Sequence, residues 1–258
     1  METISKFIAP RQKIDVPQKI PRKIFQTHET NKLPKRMINT GCKSWIIKNP
    51  EYEYHFYDNH DRITLIKNNF DESVFNAYQQ LNNGAMKADL FRYCVIYIHG
   101  GVYTDIDQVC LKPLAQIIPA DADIVTGVAV NTPHQSFMMY SPKCPILKLA
   151  IDQSVTRILA KKPLRGKWGW PSGYTGPIAL EYAWKTFLEQ PRPVTEKGDY
   201  DGRFKVPLRR GNFIYKNLKF AVNPKSFFDL RYLTVKYRGY DEDSKKIGAT
   251  HWSKDRKL

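Results

Sequence analysis

The sequence lacks any apolar run near the roughly 20 residues that a membrane-spanning helix requires. Residues 1–20 are polar and charged, without the apolar core of a secretory signal. An Asn-x-Ser/Thr glycosylation site is also absent. From these absences we expect a cytoplasmic protein.

Cysteine is scarce, and no two cysteines form a CxxC pair. The four are Cys42, Cys94, Cys110 and Cys144, and the histidines do not cluster around them. This spacing indicates neither a thiolate metal site nor a disulfide framework. Internal repeats and low-complexity tracts are absent as well.

Acidic residues are outnumbered by basic ones, 25 against 41, which gives a formal net charge of +16. This balance favours anionic partners such as nucleotides, nucleic acid, acidic glycans or an anionic membrane surface. The basic residues are spread along the chain, so an ordinary solvated surface is the plain alternative. Because no nucleic-acid-binding motif is recognisable, we expect no specific nucleic-acid partner, and peripheral association with an anionic membrane stays open.

The length of 258 residues suits one large domain. We interpret residues 1–20, broken by Pro10 and Pro17, as a loosely held basic N-terminal arm, followed by a domain over 21–258. Strand patterns cover residues 20–27, 52–57, 102–105, 123–130, 135–140 and 212–222. Helical patterns cover residues 34–48, 58–69, 71–81, 85–98, 145–159 and 178–188. Their alternation predicts an α/β layer structure.

Two charged residues interrupt the apolar helix expected over residues 85–98. Asp89 and Arg92 lie three positions apart and therefore share one helix face. Burying ions is expensive, so the pair is either a structural ion pair or part of a ligand cleft. In a cleft, Asp89 would accept hydrogen bonds from sugar hydroxyls and Arg92 would contact sugar or phosphate oxygens.

A second acidic feature follows this helix. His99-Gly100-Gly101 ends the helix, and a short apolar strand then leads to Asp105 and Asp107. In an extended segment, residues i and i+2 point the same way, so we expect both carboxylates to face one point. Their mutual repulsion predicts a cation between them, and carboxylate oxygens suit a hard divalent metal that carries a phosphorylated ligand.

The runs KADLFRY at 87–93 and IHGGVYTDID at 98–107 resemble glycosyltransferase family 32, whose sugar-binding region contains a DXD motif. That family includes fungal α-mannosyltransferases and bacterial capsule enzymes. Residues 20–27 resemble its first strand, and Thr175-Gly176-Pro177 resembles its Thr-Gly-Pro motif. The resemblance implies a single-domain GT-A fold, a Rossmann-like mixed β-sheet flanked by helices.

The same resemblance implies a metal-dependent, retaining enzyme. It would move a hexose from a nucleoside-diphosphate sugar to a hydroxyl of a glycan, a lipid or a protein-linked glycan. The implied cofactor is Mn²⁺ or Mg²⁺.

Residue roles carry over by position within the resemblance. Asp89 and Arg92 would contact the donor sugar, and Asp105 would touch the ribose or sugar and help to place the metal. Asp107 and His251 would ligate the metal directly. Further residues implied to lie at the donor are Phe25, Gln26, Thr27, Trp252 and Ser253. Phe25 and His28 depart from the family's usual residues beside the nucleobase, so the base is left open.

Aromatic residues mark the Gly/Pro-rich loop expected over 168–177. Trp168, Trp170 and Tyr174 would either stack on an acceptor sugar or pack in the core.

Two other functions compete with this interpretation. Residues 105–109 (DIDQV) also fit the DxDx(T/V) loop of haloacid-dehalogenase-type phosphatases, in which the first aspartate is the nucleophile. That loop normally follows the first strand, whereas here about a hundred residues precede it. A basic nucleic-acid-binding module is the alternative from another class, since aromatic residues form 13% of the chain and such rings stack on bases.

Overall fold

A computed structural model describes residues 1–129, 132–164, 170–189, 211–223, 225 and 227–248. The strands are β1 Glu2–Thr3, β2 Phe7–Ile8, β3 Lys23–Thr27, β4 Lys32–Leu33, β5 Glu53–Tyr57, β6 Gly101–Thr104, β7 Ile124–Ala129, β8 Thr132–Pro133, β9 Phe137–Tyr140, β10 Gly211–Tyr215 and β11 Leu218–Asn223. The α-helices are α1 Lys43–Lys48, α2 Asn59–Asn69, α3 Glu72–Gln80, α4 Gly84–His99, α5 Pro145–Leu159, α6 Trp170–Tyr174, α7 Pro177–Phe187 and α8 Tyr240–Lys246. A π-helical segment, Met37–Cys42, precedes α1, and Leu114–Gln116 is a 3₁₀ turn.

One mixed sheet organises the described part of the chain. Its strand order is β10-β11-β7-β9-β6-β3-β5-β2, and β8 pairs with β7. The central strands β5, β3 and β6 are parallel, and β9 runs antiparallel to β6. The predicted α/β architecture with a mixed sheet is therefore confirmed.

Alternation along the strands divides the core between the two faces of the sheet. Phe25 and Tyr103 pack with helices α3, α4, α5 and α7 on one face. Ile24 and Val102, one position earlier, pack with the π-helical segment and α1 on the other face. Helices therefore cover both faces, as in other α/β layer structures.

Helix α4 has clear signals at both ends. The Asn83 side chain caps it by accepting hydrogen bonds from the backbone N–H groups of Ala85 and Met86. Gly100 ends it with φ 63°, and a Cβ at this position would lie 2.7 Å from both Pro142 and Pro21. The turn therefore requires glycine, and the strand β6 that follows leads directly to Asp105.

Several sequence expectations need correction. Residues 35–48 are helical, as expected, but Met37–Cys42 within them is π-helical, and Gly41 in that segment packs against the backbone of Ile106. Residues 212–222 form the hairpin β10–β11, and Lys216 and Asn217 adopt positive φ at its turn. The expected loop over 168–177 contains the short helix α6 and the start of α7.

The N-terminal segment is attached to the rest of the molecule. Strand β1 pairs with β4, and β2 pairs with the edge of the main sheet at β5. The expectation that residues 1–20 are loosely held is wrong in this respect, while the domain boundary at residue 21 stays a prediction. Over the described residues, no helix has the length and apolarity to cross a membrane. All four cysteines are buried free thiols.

Candidate active site

The guanidinium of Arg92 joins two carboxylates at the centre of the site. Its Nη2 lies 3.0 Å from Asp89 Oδ1 and 3.0 Å from Asp105 Oδ1. Its Nη1 donates to the carbonyl of Gln135 at 3.1 Å, and its Cζ lies 4.6 Å from the centroid of the Tyr103 ring. Arg92 therefore fixes the helix α4 against the acidic residues that follow β6.

Asp105 and Asp107 lie in a turn, not in the strand. Strand β6 ends at Thr104, and the N–H of Gln108 donates to the carbonyl of Asp105 at 3.2 Å. The expectation of an extended segment through Asp105 is therefore wrong. The two carboxylates still interact, because the charge of Asp105 contributes to raising the pKa of Asp107.

Remote segments hold this turn in place. The N–H of Asp105 donates to the carbonyl of Ser136 at 3.0 Å, and the side chain of Gln26 donates to the carbonyl of Asp105 at 3.2 Å. The N–H of Tyr237 donates to the carbonyl of Asp107 at 2.9 Å. These three hydrogen bonds involve only backbone groups of the turn. The side-chain carboxylates of Asp105 and Asp107 can therefore bind other groups.

Burial raises the pKa values of all three carboxyl groups at the site, and repulsion from Asp105 adds to the rise for Asp89 and Asp107. Burial raises the pKa of Asp89 to about 7 against the opposing effect of Arg92, and the charge of Asp105 adds to the rise. Burial also raises the pKa of Asp107 to about 7, with Asp105 as the next cause. The pKa of Asp105 is raised by burial as well, although Arg92 opposes this. Asp89 and Asp105 thus share the guanidinium of Arg92.

These residues fit a divalent cation. One oxygen of Asp105 is bound to Arg92, whereas Asp107 forms no ion pair with any lysine, arginine or histidine that the structure describes. Carboxylate oxygens are the ligands that Mg²⁺ and similar hard ions prefer. Within the described ranges no group of three His, Cys, Asp or Glu side chains forms a complete metal cage. The predicted third ligand, His251, lies outside the described residues, as do Trp252 and Ser253.

The predicted Thr-Gly-Pro motif lies beside Asp89. The hydroxyl of Thr175 donates to Asp89 Oδ2 at 3.4 Å, and a Cβ on Gly176 would lie 3.4 Å from the same oxygen. Tyr93, one position after Arg92, donates from its hydroxyl to the carbonyl of Thr175 at 2.7 Å. The start of α7 is thereby held against α4.

The three predicted donor residues on β3 are buried. Phe25 packs between the rings of His55 and His99, with centroid distances of 5.3 and 5.9 Å. Gln26 accepts a hydrogen bond from Tyr54 at 2.7 Å and supports Asp105, and Thr27 donates to the carbonyl of Tyr57 at 2.7 Å. Gln26 therefore reaches the site through the Asp105 backbone, while direct contact of the three residues with a donor stays a prediction.

Several residues that contact the site were not predicted from the sequence. The hydroxyl of Tyr103 donates to Asp105 at 3.1 Å, and its position two residues before Asp105 was the available signal. Gln135 and Tyr237 contact the site from distant parts of the chain, and nothing in the local pattern marks them. Tyr174 is buried in the core, which favours the packing alternative for this ring. Trp168 and the side chain of Trp170 lie outside the described residues.

The fold and the acidic site together define a GT-A-type α/β protein. A solved structure, PaToxG Glycosyltransferase, is similar with a TM-score of 0.55 and 17% sequence identity, over 67% of this chain and 71% of that chain. At this identity the likeness concerns the fold, and it confirms the predicted GT-A architecture.

The family follows from the sequence of the same region. Residues 34–123 match the family described as "Glycosyltransferase sugar-binding region containing DXD motif", and this range includes Asp89, Arg92, Asp105 and Asp107. This match and the relatives described next confirm the resemblance to glycosyltransferase family 32.

Curated relatives match over part of their length. The "Initiation-specific alpha-1,6-mannosyltransferase" of Candida albicans is 34% identical over 40% of this chain and 28% of its own length. An uncharacterized glycosyltransferase of Acanthamoeba polyphaga mimivirus is 41% identical over 39% of this chain and 35% of its own length. The "Inositol phosphoceramide mannosyltransferase 1" of Schizosaccharomyces pombe is 26% identical over 67% of this chain and 54% of its own length. The chain thus spans 28% to 54% of these relatives.

Proposed function

We propose that this protein is a metal-dependent, retaining glycosyltransferase. It transfers a hexose from a nucleoside-diphosphate sugar to a hydroxyl group of a glycan, a lipid or a protein-linked glycan. The observation that carries the proposal is the Asp89–Arg92–Asp105 array beside Asp107, inside the region that matches the sugar-binding family. Mannose is the proposed hexose, because two of the relatives reported above are named mannosyltransferases.

The side chains of the array have distinct proposed roles. Asp89 is buried and accepts hydrogen bonds, so it would bind hydroxyls of the donor sugar. The guanidinium of Arg92 lies over the ring of Tyr103 and donates to the carbonyl of Gln135. Held in this way, it would orient the two carboxylates and contact oxygens of the sugar. Asp105 would touch the ribose or sugar, on the support of Gln26 and Ser136.

Asp105 and Asp107 would hold Mn²⁺ or Mg²⁺, with His251 as a further proposed ligand. When bound, such an ion neutralises negative charge on a diphosphate leaving group. Asp107, whose pKa is raised in part by the charge of Asp105, would be held in its ionised form by a cation bound between the two carboxylates.

Retention calls for attack on the face from which the diphosphate departs. The acceptor oxygen forms a bond to the anomeric carbon as the bond from that carbon to the phosphate oxygen breaks. The departing phosphate oxygen takes the acceptor proton. We assign no side chain as a covalent nucleophile, and the role of the described residues is to bind, orient and exclude water.

A donor screen tests this proposal. The protein is incubated with Mn²⁺ and each of several nucleoside-diphosphate sugars, and release of the nucleoside diphosphate is measured. We expect one mannose donor to give the fastest release, and the same screen identifies the base. No release from any donor, with or without a hydroxyl acceptor, would contradict the proposal.

A matched pair of variants ties the activity to the site. Asp107→Asn keeps the shape of the side chain and removes its charge, so release should fall at least about a hundredfold while circular dichroism stays unchanged. Asp152→Asn removes a carboxylate from the exposed Lys148–Asp152 pair on α5 and should have no effect on release. Near-normal release by Asp107→Asn would remove the metal-site argument.

The two alternative functions find no support. The family match and the similar fold both concern glycosyltransferases, and neither supports a phosphatase or a nucleic-acid-binding module.

Location and acceptor belong to the same proposal. The net charge of +16 supports peripheral association with an anionic membrane, where a lipid-linked acceptor would be found. A cytoplasmic location stays a prediction.

A further inference from the structure

The segment that follows β11 contacts the turn that carries the acidic pair. Its backbone is bound to the site directly, since the N–H of Tyr237 donates to the carbonyl of Asp107 at 2.9 Å. The neighbouring Lys236 extends its ammonium to 5.3 Å from the centroid of the Tyr240 ring, and that ring meets Tyr237 edge-on at 5.6 Å. Lys236 and Tyr240 therefore lie together in the segment that binds the backbone of Asp107.

A buried clamp fixes this segment. Asp243 on α8 is 1% exposed and accepts from Arg36 Nε at 2.8 Å, from Arg36 Nη2 at 3.1 Å and from the Tyr237 hydroxyl at 3.0 Å. Arg36 also donates to the carbonyl of Gly239 at 2.8 Å, and a Cβ at Gly239 would overlap the guanidinium. These contacts on one buried carboxylate fix Tyr237, whose N–H binds the carbonyl of Asp107.

The cation of Lys236 is available to a ligand. Its pair with Asp241 is 2.9 Å long but exposed, the two side chains being 39% and 75% accessible. Exposed pairs of this kind contribute about 0–1 kcal/mol, so a better anion displaces the aspartate easily.

We propose that Lys236 is a further donor-binding residue, whose ammonium contacts the diphosphate oxygens of the nucleotide held at Asp105 and Asp107. Tyr240 orients the ammonium through its ring, and Arg36 is a positioning residue that acts through Asp243 and Tyr237. The inference rests on the proposed function, because it requires a nucleoside-diphosphate ligand. The ammonium of Lys236 would add a second positive charge at the diphosphate, beside the metal ion that Asp105 and Asp107 would hold.

Calorimetric binding of GDP and UDP in the presence of Mn²⁺ tests the inference without measuring turnover. Lys236→Met should weaken binding of the preferred nucleoside diphosphate about tenfold or more, since it removes a charge-assisted contact. Lys236→Arg, which keeps the charge, should retain most of the affinity. Lys148→Met, which removes a lysine from the exposed pair on α5, should bind like the wild type.

The controls separate the two proposals. If the wild type binds neither GDP nor UDP with Mn²⁺, the proposed function and the inference both fail. If the wild type binds one of them and Lys236→Met binds it within about twofold, the inference alone is overturned. Arg36→Met provides the second variant: it leaves Lys236 in place, and the inference expects weaker nucleotide binding with an unchanged circular dichroism spectrum.

Discussion

Replacing Arg92 with methionine removes the shared partner of Asp89 and Asp105. Both ion pairs are 3.0 Å long, and the two arginine-facing carboxylates are largely shielded from water. Breaking a buried pair from one side costs about 3–5 kcal/mol, because a buried charge loses its partner. For a chain of this size, that loss lowers the melting temperature by about 10 °C.

The loss should depend on pH in a defined direction. Arg92 lowers the pKa values of Asp89 and Asp105, so its removal raises them further. A carboxyl group with a folded pKa above its unfolded value takes up a proton on folding, and stability falls as pH rises between the two values. With Asp89 already at about 7, the penalty of Arg92→Met should be small at pH 5 and large at pH 8.

Thermal unfolding followed by circular dichroism at pH 5 and pH 8 measures this difference. Arg92→Lys should fall between wild type and Arg92→Met, because lysine keeps the charge without the planar fork. Lys148→Met removes an exposed i,i+4 pair and should change the melting temperature by about 1 °C or less at either pH. A melting temperature of Arg92→Met within about 2 °C of wild type at pH 8 would refute the reasoning.

Three further outcomes are expected. Affinity for Mn²⁺, measured by calorimetry, should rise with pH and level off above about 7, because the metal binds the ionised form of Asp107. A flat affinity profile from pH 5.5 to 8 would argue against Asp107 as a ligand. Gly100→Ala should lower the free energy of unfolding, measured in urea, by about 1–3 kcal/mol, because φ is 63° and two prolines crowd the position. A decrease of less than about 0.5 kcal/mol would contradict the requirement for glycine at this turn. Asn83→Ala should cost about 1 kcal/mol in the same assay and Asn83→Ser little, whereas equal effects would exclude the cap.

Local signals were sufficient for the central helix and the acidic residues. The apolar run with a glycine at its end predicted α4 within a residue at either end, because both the Asn83 cap and the Gly100 turn are encoded nearby. The ion pair of Asp89 and Arg92 also followed from helix spacing.

Features that depend on remote contacts could not be read in this way. The π-helical segment arises where Gly41 meets the backbone of Ile106, and no local pattern reports that approach. The extended geometry expected from Asp105 to Asp107 failed because the chain turns there, and contacts with the remote residues Ser136 and Gln26 hold the first residue of that turn. The positive φ of Lys216 and Asn217 splits one expected strand into a hairpin, and asparagine at this turn was the signal available.

Three residues that are far apart in sequence hold the acidic turn by hydrogen bonds: Gln26 in β3, Ser136 before β9 and Tyr237 ahead of α8. All three lie outside residues 34–123, the stretch that identifies the family. An excised family segment would therefore keep the signature while losing the scaffold that shapes it. Competence for binding therefore requires chain on both sides of that stretch, because hydrogen bonds from each side hold the backbone of the acidic turn.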